Sequence, residues 1–163
     1  MADRPDLFET LTDEGPIRLA GLSGRFDPST YVHIADMWKA FSTQLMSWPD
    51  RRAGTETVGA FRNRDPIGRT FEHLAAIRVA ANATPPAGFA VWELPAQTWL
   101  KFRQPMTSTE LHVQMVTAEA DIRGNRLPKS GRRLRDAADL QIYAPNFRAA
   151  PGWWVEHWLP VEP

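Results

Sequence analysis

The chain has 163 residues, the usual size of one domain with one hydrophobic core. Nineteen basic residues balance nineteen acidic ones, so the basic excess that a nucleic-acid binder sets against phosphates is missing. Cysteine is absent, which excludes disulfides and thiolate metal sites, and 43% apolar with 23% charged residues argues for a packed globule over a disordered chain.

Residues 1–15 are polar and Pro-containing, with an apolar group at Leu7, Phe8 and Leu11. They read as a lead segment with room for one helical turn. They lack a signal-peptide core, and no run in the chain has bilayer length, so the cytoplasm is the expected location. The domain proper is expected over 16–163. Residues 16–25 alternate loosely through Ile17, Leu19 and Gly21 and predict a strand. Asp27 and Pro28 then supply a cap and a first helical position. Ile34, Trp38, Phe41 and Leu45 follow at helical spacing until Pro49 stops the pattern. Strands are expected over Thr55–Arg62 and Phe71–Ala80, with a turn at Asp65-Pro-Ile-Gly68 between them.

The stretch Thr84-Pro-Pro-Ala-Gly88 divides the chain, and the order of elements then repeats. Phe89–Phe102 predicts a strand interrupted at Pro95. Thr107-Ser-Thr-Glu110 has the spacing of a capping box. Leu111, Met115, Ala118 and Ile122 form a second helical stripe, with Gly124 as its expected stop. Strands over Asp139–Ala144 and Trp153–Val161 complete the half. Residues 16–83 and 89–161 thus form a pseudo-repeat of strand, helix, strand, strand. The predicted class is α+β with mostly antiparallel sheet and two main helices.

Signatures of catalysis and cofactor binding are missing. The histidines His33, His73, His112 and His157 do not pair at metal-ligand spacing, and Gly21-Leu-Ser-Gly24 is not a nucleophile elbow. No metal and no cofactor are expected. The basic run from Lys129 to Arg135 reads as a solvated loop, with an anion contact as the lesser alternative. Seven Trp residues give material for a flat-ligand site as well as for core. In the last strand, period-two alternation puts Trp154, Glu156 and Trp158 on one face. A carboxylate between two indoles suits a flat cation, and the same residues suit core and rim. Gln141 and Tyr143 share a face of the preceding strand. Trp38, Phe41, Trp92, Trp99 and Phe102 fall in their periods where core is a commoner role than pocket lining.

Four segments carry a family resemblance. Asp139-Leu-Gln-Ile-Tyr143-Ala-Pro-Asn-Phe147 is similar to the D-F-E-x-Y-x-P-x-F segment of the GyrI-like effector-binding domains, which also form the sensing halves of AraC-type and MerR-type regulators. Val155-Glu-His-Trp-Leu-Pro-Val161 resembles their E-I-W-I-P-V ending. Trp38 and Phe41 match their W-x-x-F, and Leu94 to Phe102 resembles I-P-A-G-x-Y-A-V-F. The resemblance runs in order over residues 31–161. It implies a duplicated fold with an aromatic-lined pocket between the halves for amphipathic, often cationic, compounds. The fifteen or so residues before the first strand are too few for a helix-turn-helix, so a sensor domain without its DNA-binding partner is expected. The family's pocket glutamate falls at Gln141, and Arg103-Gln-Pro105 replaces the usual Gly.

The function expected is small-molecule binding, with Trp38, Phe41, Trp92, Trp99, Phe102, Gln141, Tyr143, Trp154, Glu156 and Trp158 as candidate ligand contacts. An alternative is a hydrolase of a strained or electrophilic compound, with Glu156 as acid or base and Tyr143 as helper. Another is a protein-interaction module, with a regulator, gyrase or a second copy as partner. Direct nucleic-acid or membrane binding is not expected.

Overall fold

The computed structural model describes residues 6–48, 56–106, 110–145 and 152–163. The first half holds β1 (Phe8–Glu14), β2 (Ile17–Phe26), α1 (Ile34–Met46), β3 (Thr57–Asp65) and β4 (Thr70–Arg78). The second holds β5 (Ala90–Leu94), β6 (Gln97–Pro105), α2 (Leu111–Asp121), α3 (Leu127–Ser130), β7 (Asp139–Tyr143) and β8 (Trp154–Val161). All eight strands join one antiparallel sheet in the order β1-β6-β8-β7-β3-β4-β2-β5. Exchanging the two halves strand for strand reverses this order and leaves it otherwise unchanged. The α+β class and the duplication therefore stand, with one strand more per half than the sequence suggests.

Those extra strands are exchanged between the halves. β1 pairs with β6 and β5 pairs with β2. Residues 8–14 are thus an edge strand and contain no helical turn. Leu7 is buried, but Phe8 and Leu11 are exposed, so the strand has little apolar alternation to betray it. Likewise, Pro95 divides the stretch read as one strand into β5 and β6, which lie near opposite ends of the sheet.

Both crossings are two residues long: Gly15-Pro16 joins β1 to β2, and Pro95-Ala96 joins β5 to β6. Three Cα steps reach at most about 11 Å, so the ends of the sheet must curl together. Side chains confirm the curl. Arg62 of β3 stacks on Trp92 of β5 at 3.8 Å, and Arg78 of β4 reaches Trp158 of β8 at 4.8 Å. One face of the sheet becomes an apolar interior of Leu19, Val58, Leu74, Trp92, Trp99 and Leu140 with their neighbours. Gly21 in β2 is required by this packing, because a Cβ there would lie 1.8 Å from the Ala75 carbonyl oxygen.

The helices pack on the other face. α1 buries Phe41 against Ala20, Ala75 and Ile77. α2 and the π-helical turn Ile122–Arg126 bury Ala118 and Ile122 against Leu100, Phe102, Leu159 and Val161. Two helix ends differ from the reading above. Asp27 caps a turn, its Oδ1 accepting from the Ser29 and Thr30 amides, and α1 starts only after a 3-10 turn at Tyr31–His33. Gly124 does not stop the second helix. The π-helical turn carries the chain through it into α3, and Gly131, at φ 69°, makes the left-handed stop. Pro49, the Thr107 side of the capping box and Asn146-Phe147 of the resembling segment lie outside the described residues.

Candidate functional site: the cleft between the helices

α1 lies over β2 and β4, and α2 lies over β6 and β8. The central strands β3 and β7 run between them, paired Thr57 to Tyr143, Gly59 to Gln141 and Phe61 to Asp139. These six residues share the helix-side face and form the floor of a cleft. Gly59 lets the surrounding rings close down onto that floor. A Cβ there would meet His73 at 3.2 Å, Trp38 at 3.4 Å and Tyr143 at 3.6 Å. Trp38 descends from α1, edge-on to Tyr143 with centroids 5.5 Å apart. Phe61 stacks on His73 at 4.3 Å.

Hydrogen bonds hold these rings. The Trp38 indole N–H donates to His73 Nε2 at 3.1 Å, so His73 carries its proton on Nδ1 and donates it to the Ala60 carbonyl at 2.9 Å. Burial keeps the imidazole neutral and lowers its pKa to about 4. The Tyr143 hydroxyl donates to Gln141 Oε1 at 2.9 Å, and burial pushes its pKa well up. That bond engages one lone pair of the Gln141 amide oxygen and fixes the orientation of the amide.

The second half repeats part of this. His157 in β8 stands where His73 stands in β4. It is buried, its pKa is lowered to about 4 by burial and then by Arg123, and its Nε2–H donates to Gln104 Oε1 at 3.0 Å. The Gln104 amide N–H in turn donates to the Gln114 carbonyl of α2 at 3.1 Å. The sequence carries a trace of the correspondence: Glu72-His73 and Glu156-His157 fall at the same point of the last strand in each half. Each glutamate faces away from the helices and pairs with an arginine, Arg62 at 2.6 Å and Arg103 at 3.0 Å.

At the Phe61 end the cleft is charged. Asp139 accepts from Arg64 and Arg123, and Glu119 of α2 lies 3.8 Å from Arg64 and 3.2 Å from Arg123. Burial alone pulls the Arg64 pKa down. The hydrogen bond and charge of Asp139, with the charge of Glu119, more than offset this, so its pKa ends above the usual guanidinium value. A gap of about 10 Å³ lies under α2 among Glu119, Asp139, Gln141 and His157, room for a single water. A second cleft of about 150 Å³ lies beyond Arg64, where Arg62, Arg123 and Arg135 face Asp136 and Asp139. The basic run ends there, among charges of both signs.

The candidate residues therefore separate. Trp38, Gln141 and Tyr143 come together in the cleft. Phe41 and Phe102 pack beneath α1 and α2. Trp92, Trp99 and Trp158 face the interior, with Trp154 against it. Trp154, Glu156 and Trp158 do share one strand face, but it is the face opposite the helices. There Arg103 pairs with Glu156 and stacks on Trp154 at 4.0 Å, Trp158 donates to Glu156 at 3.2 Å, and Lys101 sits 3.7 Å above Trp158. Glu156 and Tyr143 point to opposite faces, so the acid and helper named for hydrolysis do not meet. Gly59, Phe61, His73 and Asp139 join the site only through the strand pairing, Arg64 through the irregularity before it, and Glu119 through the packing of α2. Among the described residues, no group of acids and histidines has metal-binding geometry and no helix is long and apolar enough to cross a membrane.

Comparison with known proteins agrees with this architecture. The family model described as the GyrI-like small molecule binding domain matches residues 10–162. Of solved structures, an integron cassette protein from the mobile metagenome of Vibrio cholerae superposes with a TM-score of 0.69 at 10% identity, over 96% of this chain and 99% of that one. SAV2435 bound to tetraphenylphosphonium superposes with a TM-score of 0.69 at 16% identity, over 95% and 94%. The EcmrR C-terminal domain does so with a TM-score of 0.61 at 13% identity, over 96% and 98%. No curated protein matches the sequence.

Proposed function

The chain belongs to the GyrI-like small-molecule-binding domain family, and on that premise we propose that it takes up flat, amphipathic small molecules in the cleft between α1 and α2. It would act as a sensing or sequestering domain. The observation that carries this reading is the aromatic cluster gathered over Gly59, where Trp38 stands edge-on to Tyr143 and Phe61 stacks on His73. Aromatic walls with a few fixed polar groups are what small-molecule sites are made of. Gln141 and Tyr143 supply those groups. Support also comes from SAV2435, whose bound compound is an aromatic ion.

A melting-shift screen of dyes, drugs and aromatic ions tests the proposal. A ligand confined to the folded state adds about 2.7 kcal/mol of stability at a hundredfold over its Kd. A broad library without a hit defeats the reading. Two variants then locate the site. Gln141→Glu places a carboxylate in the cleft floor and should tighten binding of cationic aromatics by about tenfold while leaving neutral ones nearly unchanged. Glu156→Gln, on the opposite sheet face, should leave the charge preference as it is. Titration with a pair of ligands differing only in charge reads both results, and a changed preference in Glu156→Gln alone would move the site to the other face.

A further inference from the structure

The charged end of the cleft already holds a cation, and the chain supplies it. Strand alternation from Val58 through Ala60 to Arg62 would send Arg64 to the interior face with them. It does not go there. The β3–β4 register shifts between Arg62 and Asp65, and Asn63 within the shift has φ 52°. An irregularity of this kind re-aims the side chain that follows it, and Asn is among the residues that tolerate the left-handed region. The result is that Arg64 turns onto the helix-side face.

There it meets two carboxylates and two aromatic rings. Its Nε and Nη2 fork onto the two oxygens of Asp139 at 2.9 and 2.8 Å. Glu119 reaches it from α2 at 3.8 Å. Below, its guanidinium carbon lies 4.6 Å from the Phe61 ring centre and 5.8 Å from that of Phe71. Two carboxylates above an aromatic floor are the elements that recognise a flat cation. With Arg123 on the same two acids, two positive and two negative charges balance, and no net charge remains to attract a guest cation. An entering cation would have to displace a forked, partly buried arginine. A neutral or anionic guest meets the edge of that arginine and the Gln141 amide N–H groups as donors.

We propose that Arg64 is the specificity-determining residue of the cleft, a built-in cation that excludes cationic aromatic ligands and favours neutral or anionic ones carrying a hydrogen-bond acceptor. This rests on the small-molecule reading above, and the test separates the two. Tetraphenylphosphonium, tetraphenylborate and triphenylphosphine oxide give a positive, a negative and a neutral aromatic probe. Each is titrated calorimetrically against the full chain and against Arg64→Gln, Arg64→Lys and the double variant Arg64→Gln/Asp139→Asn, with melting curves to establish that each is folded.

Wild type should bind the oxide and the borate more tightly than the phosphonium. Arg64→Gln leaves one net negative charge and should tighten phosphonium binding by about tenfold or more while weakening the borate. Arg64→Lys, which keeps the charge, should keep the wild-type order. The double variant should lose the gain, since the acid that would hold the phosphonium is gone. If Arg64→Gln binds the oxide yet ranks the three probes as wild type does, the role of Arg64 is overturned and the pocket reading stands. If no probe binds wild type or any folded variant, the pocket reading falls and this inference falls with it.

Discussion

Acid should destabilise this protein by about 6 kcal/mol as the pH falls from 6.5 to about 4, through two histidines alone. His73 and His157 are both buried, and burial lowers each from 6.5 to about 4 in the folded chain. Between those values the unfolded chain binds the proton and the folded chain does not. The stabilisation is therefore present in full above 6.5 and is lost as the pH falls through the folded pKa, at about 3 kcal/mol per histidine. The total rivals the whole stability of an ordinary domain. Each imidazole also has an arginine near it, Arg64 for His73 and Arg123 for His157, which opposes a second positive charge, while Asp139 partly offsets both. Urea unfolding across this pH range measures the slope. Replacing either histidine with Gln should roughly halve it, whatever happens to the absolute stability. An unchanged slope in both variants would mean that neither histidine is kept neutral by the fold.

Replacing Trp99 with Ala should cost about 3–5 kcal/mol and leave the cleft's ligand affinity within about twofold. Trp99 is fully buried on the interior face, two residues into β6 after the Pro95-Ala96 crossing, with Trp158 5.5 Å away. It packs with Leu19, Trp92 and Trp158 where the two ends of the sheet come together. Trp38→Ala should show the opposite balance. It opens the cleft wall, frees His73 Nε2 of its donor, and should weaken flat aromatic ligands by about tenfold or more at a smaller cost in stability. Denaturant midpoints and ligand titrations on the two variants give the comparison. If Trp99→Ala lost binding while still folded, the interior face would have to be reconsidered as the ligand face.

Much of the fold was legible because local rules govern it. The stripe Ile34, Trp38, Phe41, Leu45 and the alternation of β8 are periodic, and a buried face must be periodic wherever an element lies flat on a core. The duplication was legible because both halves repeat the same order of elements, and the motif strands carried the family. β1 was not, because an edge strand buries little and needs no pattern. Nor were the strand exchanges, since a two-residue link does not say how far its strands stand apart in the sheet.

The site divides along the same line. Residue identity and spacing alone show which side chains are aromatic, that Gln141 and Tyr143 share a strand face, that Trp154, Glu156 and Trp158 share another, and that the domain has two related halves. Long-range packing sets which of those faces is the interior and which meets the helices. Alternation separates two faces but does not orient them. Orientation came from the curl, which closes one face upon Trp92, Trp99 and Trp158 and leaves the other to α1 and α2. The same long-range pairing set Gly59 beside Gln141, and the irregularity at Asn63 carried Arg64 across to Asp139, a residue 75 positions away, where no sequence spacing relates them.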